Sequence, residues 1–296
     1  MAAGSLVGML AAAVLAAHSS FLANDFSDSA ENFASSALEY VQHEALNPFV
    51  PGGMYEDMQI IYVAGSKRVY LQAEDVVDWV RYWEDGHWDI DDDKIAEYVK
   101  KLQKEFDTWN YYKVLETTEG KTVCVPPGEY GWRVDRGEET RLISKMLRNN
   151  GTTAHRVVFS SEAANHGLPS KDYGDSYVEI DLTNQRLWVY KDGEMVISSD
   201  IVSGMMNTDR QTPPGAYAIY YRQSPAVLKG ADYEQPVSYW MPFNGGIGLH
   251  DATWQYSFGG DACYYRGSHG CINLPYEKAA EIFDTVRKGY PILCYY

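Results

Sequence analysis

The chain has 296 residues, a formal net charge of −16 and four cysteines. Its length is enough for two domains, each with its own hydrophobic core. Because the charge is strongly negative and no long run of lysine or arginine occurs, the composition argues against nucleic-acid binding. The many tyrosines and tryptophans (24 and 8) suit β-rich cores and grooves that hold sugar or peptide, although most aromatic side chains simply fill cores.

The first 24 residues contain no Asp, Glu, Lys or Arg, and Leu6–Ala17 is nearly all apolar or small. Residues 1–24 are therefore predicted to be an export signal or the remnant of a membrane anchor. A buried helix is the alternative. Residues 25–56 are polar and are predicted to form a stalk. This pattern indicates a protein that works outside the cytoplasm, at the cell surface or secreted.

Residues 57–159 carry a mixed pattern of helices and short strands, which predicts an α+β domain. Asp92–Phe106 is predicted to be an amphipathic helix, because apolar residues recur on one face and aspartates stand at its start. Glu138–Asn149 is predicted to be a second helix. The predicted strands are Gln59–Val63, Val69–Leu71 and a hairpin of Lys113–Thr117 and Thr122–Val125 around Glu119-Gly120.

Residues 160–174 are rich in Ser, Asn, Gly and Pro and are predicted to be a linker. Residues 175–296 show mostly strand patterns, so we expect a β-sandwich or barrel-like domain with one late helix. That helix is predicted over Tyr276–Lys288, and Gly245–Leu249 is predicted to be a strand or a tight loop. The other predicted strands are a strand through Val178, Ile180 and Leu182, a hairpin of Leu187–Tyr190 and Met195–Ile197, and Ala216–Tyr221, Val237–Met241 and Ile292–Tyr295.

The run Ser268-His269-Gly270-Cys271-Ile272-Asn273 concentrates reactive residue types, and His250 stands 21 positions before the cysteine. A thiol is a strong nucleophile only as a thiolate, and a nearby imidazole is the usual means of forming one at neutral pH. Cys271 is therefore the predicted nucleophile and His250 its base.

The residues next to this pair are expected to support it. Asp251 could orient the imidazole with its carboxylate, or a nearby backbone carbonyl could do so. The amides of Gly270 and Cys271 are expected to bind a developing oxyanion. Ser268 and His269 are close enough in sequence to position the substrate or to support the loop.

A zinc site is the alternative for this region. Its ligand types are present in His250, His269, Cys263 and Cys271. No Cys-x-x-Cys pair occurs, so no metal site is predicted. An even number of cysteines permits disulfides in an exported protein, but we expect Cys271 to be a free thiol and the other three to be structural or incidental.

These residues resemble the signature of the L,D-transpeptidase catalytic domain (YkuD type). That signature is a histidine, a spacer, and then Ser or Thr, His, Gly, Cys, an apolar residue, and Asn or Arg. His250 and Ser268–Asn273 fit it, with 17 residues between His250 and Ser268. Further matching stretches within residues 177–296 are Tyr177–Gln185, Thr212–Gly215 and Tyr239–Asn244.

Residues 57–159 are similar to the peptidoglycan-binding module often found before this domain in Gram-positive bacteria. The similarity lies in Gly120–Val123 and Tyr130–Trp132. A peptidoglycan-binding role for this part follows from the resemblance alone.

The resemblance implies an enzyme that cross-links the bacterial cell wall. The Cys271 thiolate would attack the third residue of a tetrapeptide stem, and His250 would protonate the departing D-Ala. An amine of a second stem would then attack the thioester. The matched stretches add Tyr239 and Asn273 to Ser268 and His269 as expected substrate-binding residues.

No metal or organic cofactor is implied, the partners are peptidoglycan stem peptides, and carbapenems are expected to acylate the cysteine. With water in place of the amine, the same scaffold would be an L,D-carboxypeptidase or endopeptidase. A non-catalytic cell-wall-binding protein is the third interpretation.

Overall fold

The computed structural model describes residues 58–149, 153–230 and 234–296. The predicted segments 1–24 and 25–56 lie outside these residues. None of the helices within the described ranges is long and apolar enough to cross a membrane.

The first part of the fold is α+β, as predicted. Two long helices, α2 and α3, pack together over a three-stranded sheet of order β2-β1-β8, and a core of their apolar side chains lies between them. Its elements are β1 (Gln59–Ala64), β2 (Lys67–Gln72), α1 (Ala73–Val76), a 3-10 turn (Val77–Trp79), β3 (Val80–Tyr82), β4 (Trp88–Ile90), α2 (Asp92–Phe106), β5 (Lys113–Glu116), β6 (Thr122–Val125), β7 (Arg133–Val134), α3 (Arg136–Arg148), β8 (Thr153–Arg156) and β9 (Phe159–Ser161).

The helices of this part begin at capping residues that the sequence contains. α2 has the predicted bounds, and the side chain of Asp91 caps its first turn. α3 begins two residues before the predicted Glu138, because Asp135 is the capping residue and accepts from the Glu138 amide. Its buried face includes Glu139, which the sequence did not indicate, since a carboxylate is rarely buried without partners.

The second part is mostly β, as predicted, and its core lies between two sheets and a late helix. The larger sheet has the order β12-β11-β10-β19-β13, with β10 and β19 parallel, and the smaller sheet has the order β16-β17-β18. The elements are β10 (Tyr177–Asp181), β11 (Arg186–Lys191), β12 (Glu194–Asp200), β13 (Gly215–Ala218), β14 (Ala226–Lys229), β15 (Glu234–Val237), β16 (Trp240–Asn244), β17 (Ile247–Asp251), α4 (Ala262–Arg266), β18 (Ile272–Leu274), α5 (Tyr276–Thr285) and β19 (Pro291–Tyr295).

Several predicted elements of this part differ in extent from the structure; the strand expected over Ala216–Tyr221 is β13, which ends at Ala218. The single strand expected over Val237–Met241 is divided into β15 and β16, because the amides of Ser238 and Tyr239 both donate to the carboxylate of Asp251 instead of to a neighbouring strand. The late helix ends at Thr285 rather than at Lys288.

The hairpin of β5 and β6 packs against the larger sheet of the second part. A small core joins side chains of the hairpin region to side chains of β13 and β19. Glu179 on β10 is fully buried beneath this contact and accepts from the Thr118 amide and from the Tyr295 hydroxyl. Both faces of β10 are covered, although its apolar residues alternate with polar ones.

Candidate active site

Strand pairing brings Cys271 and His250 to one face of the smaller sheet. β17 and β18 are parallel neighbours, with Leu249 opposite Ile272 and His250 opposite Asn273. Leu249 and Ile272 lie in the core. Because side chains alternate along a strand, His250 and Cys271 both lie on the other face. One pair of strands thus places two residues that are 21 positions apart in sequence on the same face of the sheet.

His250 is buried, with 3% of its surface exposed. Its Nδ1 lies 2.9 Å from the carbonyl oxygen of Asp251. Since a carbonyl can only accept, Nδ1 carries the proton, and Nε2 of the neutral ring is left as the base. Burial lowers the pKa of His250 below its usual value, which favours this neutral form. The indole rings of Trp240 and Trp254 lie beside the imidazole, each with its centroid 5.9 Å away.

The carboxylate of Asp251 does not reach the imidazole. Its Oδ1 accepts from the amides of Ser238 and Tyr239, each at 2.8 Å. Of the two orienting groups expected for His250, the structure places the backbone carbonyl at the ring, while the carboxylate anchors the break between β15 and β16.

The Cys271 thiol is enclosed. Its residue is 9% exposed, Sγ donates to the carbonyl of Gly246 at 3.7 Å, and Trp240 packs in the same small apolar cluster. Burial raises the pKa of Cys271 to about 11, although the Gly248 amide acts to lower it. Burial therefore favours the neutral thiol at rest, whereas a thiolate formed by a nearby imidazole was expected from the sequence.

The turn before Cys271 is held by Ser268. Its Oγ accepts from the Gly270 amide at 2.9 Å and donates to the Cys271 carbonyl at 2.6 Å. Gly270 adopts a φ of 119°, and a Cβ there would meet the Ile247 side chain at 2.8 Å, so glycine is needed. The prediction that the Gly270 amide binds the oxyanion is corrected, because this amide is already bonded within the turn. Of the expected pair of donors, the Cys271 amide remains.

The other expected substrate-binding residues are placed differently from one another. His269 is exposed at the turn. Asn273 is 2% exposed and shares the face of His250, and its Oδ1 has no partner among the described residues. Tyr239 lies on the opposite face, where its ring packs against Tyr276 and Phe283 of α5, so the structure does not bring it together with the other expected substrate-binding residues.

Thr212 is a site residue for which no role was predicted from the sequence. It is fully buried, its Oγ1 donates to the Gly270 carbonyl at 2.7 Å, and the Gly204 amide donates to Oγ1 at 3.0 Å. It lies in one of the matched sequence stretches, but a threonine beside prolines carries no recognisable signal for a contact 58 positions away.

Among residues 58–149, 153–230 and 234–296, no group of three or more His, Cys, Asp or Glu side chains is placed to hold a metal ion. All four cysteines are free. The arrangement provides a thiol, a neutral imidazole with one unprotonated nitrogen and a fixed backbone amide, which are the groups that acyl transfer through a thioester needs.

Comparison with known proteins points to one family. Residues 175–294 match the model of the YkuD L,D-transpeptidase catalytic domain. The chain is similar to a cysteine-to-serine mutant of Enterococcus faecium L,D-transpeptidase, with 32% identity, coverage of 81% of this chain and 96% of that one, and a TM-score of 0.62. It is also similar to the Ldtfm–avibactam carbamoyl enzyme, with 33% identity, coverage of 81% and 94%, and a TM-score of 0.62. No curated protein matches the chain significantly.

Proposed function

Because the chain belongs to the L,D-transpeptidase family, we propose that it cross-links peptidoglycan stem peptides through a thioester on Cys271. One observation carries the proposal. Cys271 and His250 share one face of the β17–β18 strand pair, and the carbonyl of Asp251 leaves His250 with its unprotonated Nε2 as a base.

The donor half-reaction begins with a neutral thiol. As Cys271 Sγ attacks the carbonyl carbon of the third stem residue, His250 Nε2 takes the thiol proton, and the Cys271 amide donates to the developing oxyanion. The amide bond to the terminal D-Ala then breaks, and the amine of D-Ala leaves with the proton from His250. A thioester on Cys271 and a free D-Ala result.

The acceptor half-reaction restores the enzyme. The amine of a second stem, or of its side-chain bridge, attacks the thioester carbonyl and gives a proton to His250. The C–S bond breaks, and the leaving Sγ recovers a proton from the imidazolium. A new amide bond, which is the cross-link, and the original thiol are formed. Attack by water instead would release a tripeptide stem.

The remaining parts of the proposal concern location. We place the protein outside the cytoplasm, where its substrate is, and we assign to residues 57–159 a role in binding or approaching peptidoglycan. Binding of the full chain to purified peptidoglycan, compared with residues 175–296 alone, tests this second assignment. Equal binding by both would contradict it.

Chemical trapping tests the nucleophile. A relative 33% identical to this chain is described as a carbamoyl enzyme with avibactam, and the family resemblance implies acylation by carbapenems. We expect avibactam and meropenem each to add their mass to the wild-type protein and not to Cys271→Ala. Circular dichroism of the variant verifies its fold. An adduct on folded Cys271→Ala would remove Cys271 from the mechanism.

Incubation with a defined disaccharide-tetrapeptide, with and without an acceptor stem, tests the reaction. We expect a cross-linked dimer and free D-Ala when the acceptor is present. Release of D-Ala with only a tripeptide product would identify an L,D-carboxypeptidase, and no turnover would favour a wall-binding protein.

A further inference from the structure

Two hydroxyl groups hold the backbone of the turn Ser268–Cys271, called the catalytic turn below, through hydrogen bonds. Ser268 holds the amide of Gly270 and the carbonyl of Cys271. Thr212, from a separate loop, holds the group between them, the carbonyl of Gly270, at 2.7 Å. The directions of these three backbone groups are therefore fixed before a substrate binds.

The bond from Thr212 also determines the direction of the Cys271 amide. The Gly270 carbonyl and the Cys271 N–H belong to one peptide unit, which is planar and trans, so they point in opposite directions. Holding the oxygen in place thus aims the N–H. A hydrogen bond accepted at the oxygen further polarises the unit and makes its N–H a stronger donor.

The Thr212 hydroxyl has little freedom to act otherwise. A hydroxyl has one proton to donate, and the Gly204 amide already donates to Oγ1 at 3.0 Å, which directs the Thr212 proton toward the Gly270 carbonyl. Thr212 is fully buried, so water does not compete for this bond. Gly204 must be glycine, because a Cβ there would lie 2.1 Å from the Arg210 carbonyl.

The loop that carries Thr212 is itself hydrogen-bonded to the backbone on both sides of the turn. The backbone of Val202 exchanges two hydrogen bonds with Asn273, at 2.9 and 3.0 Å, and the Ser268 amide donates to Ser203 at 3.0 Å. Because its loop is bonded to the turn in this way, Thr212 keeps its position relative to the turn. Loss of its hydroxyl therefore affects the Gly270–Cys271 peptide.

We propose that Thr212 is a positioning residue that aims the Cys271 amide at the oxyanion formed during acyl transfer. The proposal rests on the function proposed above, because an oxyanion develops only when Cys271 attacks a carbonyl. It predicts that loss of the Thr212 hydroxyl harms acylation specifically and leaves the nucleophilicity of the thiol intact.

Two reactions of the same thiol separate these effects. Meropenem acylates a thiol through a tetrahedral oxyanion, whereas iodoacetamide is attacked at a saturated carbon, with loss of iodide and of the thiol proton and without an oxyanion. In the full chain, Thr212→Val should lower the acylation rate constant by about ten- to a hundredfold and change the alkylation rate by less than about twofold. Thr212→Ser, which keeps the hydroxyl, should restore acylation.

A matched variant and a second pair make the test decisive. Thr117 is also buried and bonds a backbone amide, but it lies in the β5–β6 hairpin, so Thr117→Val should alter neither rate. If Thr212→Val does not fold, Thr212→Ser and Thr212→Ala give the same comparison, since they differ from each other only in the hydroxyl.

Three results would count against these ideas in different ways. Equal losses of acylation and alkylation in Thr212→Val would show a merely structural role. Unchanged acylation would show no role. Either result overturns the positioning role of Thr212 and leaves the proposed function standing. A wild-type protein that iodoacetamide alkylates but that neither meropenem nor a tetrapeptide stem acylates would overturn the proposed function, and the inference with it.

Discussion

The buried positions of Cys271 and His250 determine how the thiol is activated. Burial raises the pKa of Cys271 to about 11 and lowers the pKa of His250. Both shifts favour the neutral forms, a thiol and an imidazole, over a thiolate and an imidazolium. In the proposed mechanism, the proton is then transferred during the attack, which is general-base catalysis.

The pH dependence of alkylation tests this neutral pair. We expect the rate at which iodoacetamide modifies Cys271 to keep rising through the alkaline range toward a pKa of about 11, because only the ionised fraction reacts without a base. A preformed ion pair would instead give a rate that levels off near neutral pH. A level rate between pH 7 and 9 would contradict the account.

Acylation by meropenem should have a different pH dependence, because it needs His250 as a base. The neutral ring is the active form, and its pKa is lowered from the usual 6.5. The acylation rate should therefore be sustained at mildly acidic pH and fall only as the pH drops through this lowered value. A midpoint clearly above 6.5, measured by stopped-flow fluorescence, would show that burial does not govern this group.

Removal of the imidazole should be costly. In His250→Ala the acylation rate should fall about 10²-fold or more, as expected for loss of a general base. His87→Ala is a suitable control, because His87 is exposed in the first part of the fold. A rate for His250→Ala near that of the wild type would remove His250 from the mechanism.

At the residue scale, Cys271 and His250 could be proposed from the sequence, because their types and spacing form a recognisable pattern, and strand pairing places both on one face of the smaller sheet. The sequence did not indicate that Trp240 rather than Tyr239 packs beside the thiol, because neighbouring positions on a strand face opposite sides. No local signal shows that the Gly270 amide is already bonded to Ser268.

At the scale of elements, Asp251 links β17, the strand that carries His250, to the break between β15 and β16. Its backbone carbonyl orients His250, while its carboxylate satisfies two amides that no strand neighbour accepts. The sequence suggested one continuous strand over Val237–Met241, since four of these five residues are apolar or aromatic. The break is imposed by a residue 12 to 13 positions further along the chain, which periodicity cannot show.

This division of roles predicts a mild effect for Asp251→Asn. The asparagine keeps an oxygen for the two amides and the same backbone carbonyl, so the acylation rate should stay within about tenfold of the wild type. Loss of a carboxylate that orients a catalytic histidine costs about 10⁴-fold in the serine-protease example. A loss of that size here would return the carboxylate to the triad. Asp251→Ala, which leaves both amides unpaired, should lower the free energy of unfolding by about 1–3 kcal/mol.

At the scale of the whole molecule, the described residues form two large cores, and the β5–β6 hairpin packs against the sheet of the second part. The core of α2 and α3 and the core between the two C-terminal sheets are distinct. The β5–β6 hairpin belongs in sequence to the first part, yet Leu115 packs in a cluster with Leu293 and Tyr295 of β19. The fold class of both parts could be predicted from periodicity, whereas the hairpin contact depends on pairings distant in sequence.

Paired core substitutions test this architecture. Leu115→Ala and Leu102→Ala each remove a buried leucine, which typically costs about 2–5 kcal/mol of stability. Leu115→Ala should lower the temperature at which meropenem acylation is lost. Leu102→Ala, in the other core, should leave that temperature nearly unchanged while lowering a separate transition in circular dichroism. Equal shifts of the acylation midpoint would indicate a single cooperative unit.

The most direct test of the account is the mass of the products that wild type and Cys271→Ala form from a tetrapeptide stem and an acceptor stem. We expect the wild type to produce a cross-linked dimer and a thioester adduct that maps to Cys271, and the folded variant to produce neither. Cross-linked dimer formed by folded Cys271→Ala would contradict it.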